Sequence, residues 1–176
     1  MSTIRVHKVE AQGQVMLMGL GVARFDGRGG VRFQIGGEEF PFSLSTVGLE
    51  DHSLITLWSD PAARTVVIVD HNGLLAASIR LDSRTVELTA VDHDPEVEGG
   101  LWHSDFVETP RGPLLVSELG VIAFSFDGTV RWRAEHPSIQ WVFLGVEGDR
   151  VVFDNEFEGQ WRYRLQDGQK QVVPSK

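Results

Sequence analysis

The sequence predicts an all-β fold of antiparallel hairpin repeats, propeller-like or sandwich-like, in a single domain over residues 1–176. Three observations predict it. First, Gly120–Glu135 (GVIAFSFDGTVRWRAE) alternates apolar and polar residues on both sides of Asp127-Gly128. An Asp-Gly pair between two period-two runs is a strong hairpin signal, because Gly supplies the positive φ that a tight turn needs. Second, the pattern Gly-x-Φ-Arg-Φ-x-Φ occurs at 128–134, 159–165 and 29–35, with a weaker copy at 73–79 that lacks the Arg. Third, no segment sustains the 3.6-residue period of an amphipathic helix.

Taken in order, period-two runs and turn residues place strands near 3–9, 14–25, 31–36, 39–45, 54–59, 65–70 and 74–80. They continue near 85–91, 113–118, 121–126, 129–135, 141–146, 150–154 and 160–166. Short strands separated by turn signals every 8–12 residues are the pattern of sandwiches, barrels and propellers. Ser59-Asp60-Pro61-Ala62-Ala63 is the one helical hint, a single turn with Asp as cap and Pro at the first helical position. The glycines at 29, 73, 128 and 159 are spaced by 44, 55 and 31 residues. The first spacing suits a four-stranded propeller blade of about 40–50 residues. The second is the same unit with an acidic loop insertion at about 91–110, and the third is too short for a blade. If the repeat holds, Gly29, Gly128 and Gly159 occupy equivalent turns, and Phe33, Trp132 and Tyr163 point into apolar surroundings. Val130, Trp132 and Ala134 should then share one face.

Ala123–Arg133 (AFSFDGTVRWR) resembles the repeat of quinoprotein-type (PQQ-like) β-propellers. In that family a strand ends in Asp, turns at Gly and continues to a Trp that packs between blades. The resemblance covers one repeat well and Val151–Gly168 loosely. It implies hairpin architecture with Trp132 between sheets, and carries no cofactor or catalytic residue onto this chain.

Charge narrows the function classes. The net charge is −9, and no Lys or Arg lies between Arg84 and Arg111, where Glu87, Asp92, Asp94, Glu96, Glu98, Asp105 and Glu108 all fall. An acidic chain suits nucleic acid poorly, since neutralisation of phosphates by Lys and Arg dominates that affinity. The absence of cysteine excludes disulfides, thiolate metal sites and thiol catalysis. No apolar run approaches the roughly 20 residues that span a bilayer, and the N-terminal stretch lacks a signal peptide's apolar segment. A cytoplasmic protein without cofactor is expected. The motifs of serine hydrolases, phosphate-binding loops, zincins and EF-hands are missing. Gly27-Arg28-Gly29-Gly30 opens a strand rather than a helix, which removes a dinucleotide reading.

Two constellations carry possible chemistry. His93, Glu96, His103 and Asp105, with Glu98, Asp92 and Asp94 nearby, are metal-ligand types suited to Zn, Mn or non-haem Fe. Their spacing matches no recognised site, and an acidic surface loop explains the same residues. Trp102, in Gly-Gly-Leu-Trp-His, is demanded by no strand alternation; it serves either as an interface anchor or as a pin holding the loop to the body. Of the other tryptophans, which together could form a stacking platform for a sugar or base, Trp132 and Trp161 alternate in phase with aliphatic residues and belong to a core. His7, His52, His71 and His136 read as structural. Arg32, Arg131 and Arg162 share a repeat position and should pair with carboxylates across the sheet.

The expectation is a non-catalytic protein-binding module, of the kind immunity proteins and antitoxins exemplify by analogy. It would hold a basic protein partner through Asp92, Asp94, Glu96, Glu98, Trp102 and Asp105. The alternative is a metal-dependent or carbohydrate-like small-ligand binder, or an enzyme, using the same loop.

Overall fold

The computed structural model describes residues 5–10, 12–28, 30–43, 55–70, 75–90, 104–117, 119–136 and 141–174. They form four antiparallel sheets preceded by one extra strand, β1 (Val6–Val9). The first sheet runs β2 (Gln14–Leu17), β3 (Gly21–Phe25), β4 (Gly30–Ile35), β5 (Glu38–Ser43). The second runs β6 (Ile55–Asp60), β7 (Thr65–Asp70), β8 (Leu75–Arg80), β9 (Thr85–Ala90), and β1 pairs with the free edge of β6. The third runs β10 (Ser104–Thr109), β11 (Gly112–Ser117), β12 (Gly120–Phe124), β13 (Val130–Glu135). The fourth runs β14 (Trp141–Glu147), β15 (Arg150–Asn155), β16 (Gly159–Arg164), β17 (Lys170–Val173). Each sheet is a meander of consecutive strands, the layout of a propeller blade.

Burial separates propeller from sandwich. A sandwich sheet buries one face, whereas Val66, Val67, Ile68 and Val69 of β7 are all fully buried, so both faces of the second sheet are covered. The even-numbered residues of β7 meet the first sheet together with Ala23, Val31 and Phe33. The odd-numbered residues of β7 meet the third with Phe106, Leu115 and Phe124. The opposite face of the third sheet packs on Val151, Phe153, Trp161 and Tyr163 of the fourth. Three apolar seams thus join four sheets in a row, and β1 and β6 run close to β10, so these strands lie innermost.

Local chemistry sets the turns. Asp127 accepts hydrogen bonds from the backbone N–H and hydroxyl of Thr129, which hold its carboxyl below the usual range, while Gly128 takes φ +82°. Asp26 is held low in the same way by the N–H groups of Arg28 and Gly30.

The structure corrects several expectations. The single strand foreseen at 14–25 is two, because Gly19 at φ +78° turns the chain and Leu20 N–H bonds back to Leu17. Residues 104–109 lie not in a loop but in β10, with Phe106 buried and Asp105 and Glu108 exposed. Lys170–Val173, too short and polar to stand out, forms β17. Pro61–Arg64 is a hairpin turn without helix, although Asp60 does accept the Ala63 N–H. Gly128 and Gly159 are not equivalent: Gly128 turns the third hairpin of its sheet, Gly159 closes the second of the next, and Gly29 lies outside the described residues.

The faces of β13 also differ from simple alternation. Ala123 pairs with Trp132 but Phe124 with Val130, so a bulge at Arg131 sends Val130 toward the second sheet and Trp132 toward the fourth. A bulge inserts one residue and inverts the alternation beyond it. Phe33, Trp132 and Tyr163 are buried as expected, at 0%, 8% and 1% exposure.

Candidate functional site

Of the residues proposed from sequence, Asp92, His93, Asp94, Glu96, Glu98, Trp102 and His103 lie outside the described residues; Asp105 alone is placed. The segment containing the others joins β9, the last strand of the second sheet, to β10, the innermost strand of the third. Asp105 is the second residue of β10, and it is exposed. Its Oδ2 accepts a 2.9 Å bond from Lys8 Nζ on β1, and its Oδ1 accepts the Phe106 N–H. Glu87 meets Arg80 at 3.2 Å. Two of the seven carboxylates between Arg84 and Arg111 therefore have cations supplied from elsewhere in the fold. Among the described residues no cluster of three or more His, Asp or Glu is arranged to hold a metal.

Strand β1 explains how Lys8 arrives there. It lies on the inner edge of β6, with Val9 packed in the first seam and Val6 against the second. Arg5, just before it, pairs at 3.2 Å with Asp60, a buried carboxylate, and stands 5.6 Å over the Phe126 ring. Neither contact is visible in the alternation of the N-terminal residues.

The arginines at the repeat position diverge. Arg162 pairs with Glu147 at 3.6 Å, as expected. Arg131, displaced by the bulge, donates instead to the carbonyls of Phe124 and Leu165, tying the third sheet to the fourth, and burial and Arg111 lower its pKa. Arg32 lies directly opposite Arg24 on the first sheet. Arg28 and Arg32 border an open cleft of about 350 Å³ whose other walls include Asp26, Pro41 and Phe42. Arg24 reaches Gln14, and the side chains of Arg24, Arg28 and Arg32 make no ion pair with a described carboxylate, although Asp26 feels the charge of Arg32.

A second concentration of unusual groups was missed in the sequence because it is assembled from several strands. His136, just past β13, sits among Trp141, Phe153, Trp161 and Tyr163, with ring centroids 4.6–5.9 Å away. Its Nδ1 is 3.4 Å from the Tyr163 hydroxyl, and its Nε2 is buried without a hydrogen-bond partner among the described residues. Burial, with Lys170 nearby, lowers its pKa from 6.5 to about 4, and burial with Glu158 pushes Tyr163 up to about 12. The imidazole is therefore neutral at pH 7 and acts as a packing group, the structural role read from sequence.

No protein-family model matches the chain, and no curated protein matches it. Among solved structures, it is similar to the Pan2 WD40 domain of Neurospora crassa at 18% identity, with a TM-score of 0.42, covering 68% of this chain and 37% of that one. It is also similar to BBS1N crystallised in complex with ARL6DN, at 10% identity and a TM-score of 0.41, covering 99% of this chain and 54% of that one. The chain spans only about a third to a half of the length of these two proteins. The propeller-like assignment accordingly stands on the sheet order and the doubly buried second and third sheets. No helix among the described residues is long and apolar enough to cross a membrane.

Proposed function

We propose that the chain is a non-catalytic binding module that holds a basic protein partner through the acidic segment between β9 and β10, in the manner of immunity or antitoxin proteins. The observation that carries this reading is the charge distribution: Asp92, Asp94, Glu96 and Glu98 follow one another with no Lys or Arg between Arg84 and Arg111. Like charges so close repel, and a cationic surface relieves that repulsion while steering association. Trp102 gives the same segment an aromatic anchor of the type enriched at interface hot spots. Lys8 already pairs with Asp105, so the reading rests on the four carboxylates that precede it in the sequence.

Reversing Asp94, Glu96 and Glu98 together to Lys tests it. Proteins captured by the parent from lysate and identified by mass spectrometry should be basic, and the variant should lose them while keeping the parent's melting temperature. Capture should weaken as the salt concentration is raised. An unfolded variant, or one that retains every partner, sinks the proposal. Metal content of the purified protein separates this reading from the metal-dependent alternative.

A further inference from the structure

The two terminal sheets each have one face against which no other described sheet packs, and these faces correspond. On the first sheet, Gln14, Arg24, Arg32 and Pro41 form one cross-strand row, and Met16 and Val22 stand in the next. On the fourth sheet the matching row is Val142, Asp154, Gln160 and Val173, with Leu144 one step along. Arg24 is the last residue but one of β3 and Asp154 the last but one of β15, each the second strand of its sheet. Met16 and Val142, exposed at 61% and 62%, both lie on first strands, and Leu144 follows Val142 on the same strand at 50%. These are costly residues to leave in water, and they occupy the first strand of the sheet at both ends of the row.

Charge points the same way. Arg24 and Arg32 stand directly opposite each other, an unfavourable pairing for like charges, and neither has a described carboxylate within ion-pair distance. Asp154 is exposed, and no described cation pairs with it. If the fourth sheet of one molecule met the first sheet of another as the second sheet meets the third within the chain, Asp154 would face Arg24 and Arg32, and Val142 and Leu144 would face Met16 and Val22.

We propose that a second copy of this chain covers these faces, the two copies joining head to tail through two equivalent seams into a closed ring. Two-fold symmetry lets both seams form at once, so no terminal face stays bare. The area suffices. A four-stranded sheet of six-residue strands presents roughly 300–400 Å² per face. The four faces buried by closure reach about 1,200–1,600 Å², within the range of stable complexes.

Analytical ultracentrifugation of the purified protein across the micromolar range should give a mass of two chains. Asp154→Arg and Arg24→Asp should each yield monomer with the parent's circular dichroism and melting curve. Mixing the two variants should restore the dimer. In the mixed pair the two reversed charges meet in one seam and attract each other, while the other seam keeps the native Asp154 against Arg24. Leu144→Glu provides a separate break through the apolar contact. A parent that is monomeric throughout, one whose mass grows past two chains with concentration, a dimer indifferent to the charge reversals, or variants that stay monomeric on mixing would each overturn the proposal.

Discussion

Gly168 lies so close to the indole of Trp132 that a Cβ on it would stand 2.6 Å from Cε3. The same turn supplies the carbonyl of Leu165, which accepts the Trp132 Nε1–H at 3.0 Å. The β16–β17 turn of the fourth sheet is thus docked on Trp132 of the third. Gly168 also takes φ +71°. Gly168→Ala should therefore cost more than the roughly 1 kcal/mol typical of a left-handed glycine, about 2–4 kcal/mol once the overpacking is added. Trp132→Ala empties the seam and should cost about 3–5 kcal/mol. Urea melts of both variants check this, and a Gly168→Ala protein as stable as the parent would show that the turn is free to move.

The β12–β13 turn docks on the second sheet in a related way. Ser78 Oγ donates to the Gly128 carbonyl at 2.8 Å in a buried site, and a Cβ on Gly128 would come within 2.9 Å of Thr65 Cγ2. Ser78→Ala leaves that carbonyl short of one donor, so a loss of about 1–2 kcal/mol is expected. Gly128→Val should lose more, since it adds both the clash and the left-handed strain. Equal melting of the two variants would contradict the docking.

His136 makes stability pH-dependent with a definite sign. Its folded pKa of about 4 lies below the ordinary 6.5, chiefly through burial. The unfolded chain therefore binds the proton first, and stability falls as the pH drops from about 6.5 toward 4, levelling off below. Full expression of the shift amounts to about 3 kcal/mol. Measured at neutral pH and again close to the folded pKa, the stability advantage of the parent over His136→Phe should shrink on acidification. An advantage independent of pH would place the imidazole in water.

The two ion pairs that fasten β1 should differ. Lys8 and Asp105 are both about half exposed, so Lys8→Ala should change stability by less than about 1 kcal/mol. Asp60 is only 4% exposed beside Arg5, and Arg5→Ala strands that carboxylate; about 1.5–3 kcal/mol is expected. Thermal melts of the two variants at low salt rank them, and a larger loss for Lys8→Ala would reverse the assignment.

Residues 121–135 show how far the sequence reached. Period-two alternation and Asp127-Gly128 specify a hairpin through backbone sterics and a tight turn, and both act within the segment itself. Burial of Phe33, Trp132 and Tyr163 follows from the same local pattern. By itself, then, the sequence determined an all-β chain of antiparallel hairpins and many of its inward residues, and it marked out the acidic segment by charge alone. A hairpin does not say on which side the next strand pairs or which other sheet covers it. Only the tertiary structure decided that Gly128 and Gly159 turn different hairpins, that β1 crosses to the inner edge of β6, and that residues 104–109 pair as a strand. The bulge that parts Val130 from Trp132 belongs to the same group, because there Arg131 gains, beside the Phe124 carbonyl of its own sheet, the Leu165 carbonyl of the fourth sheet, 34 residues on. These outcomes rest on packing and hydrogen bonds between segments tens of residues apart, whose energies no local window of sequence contains.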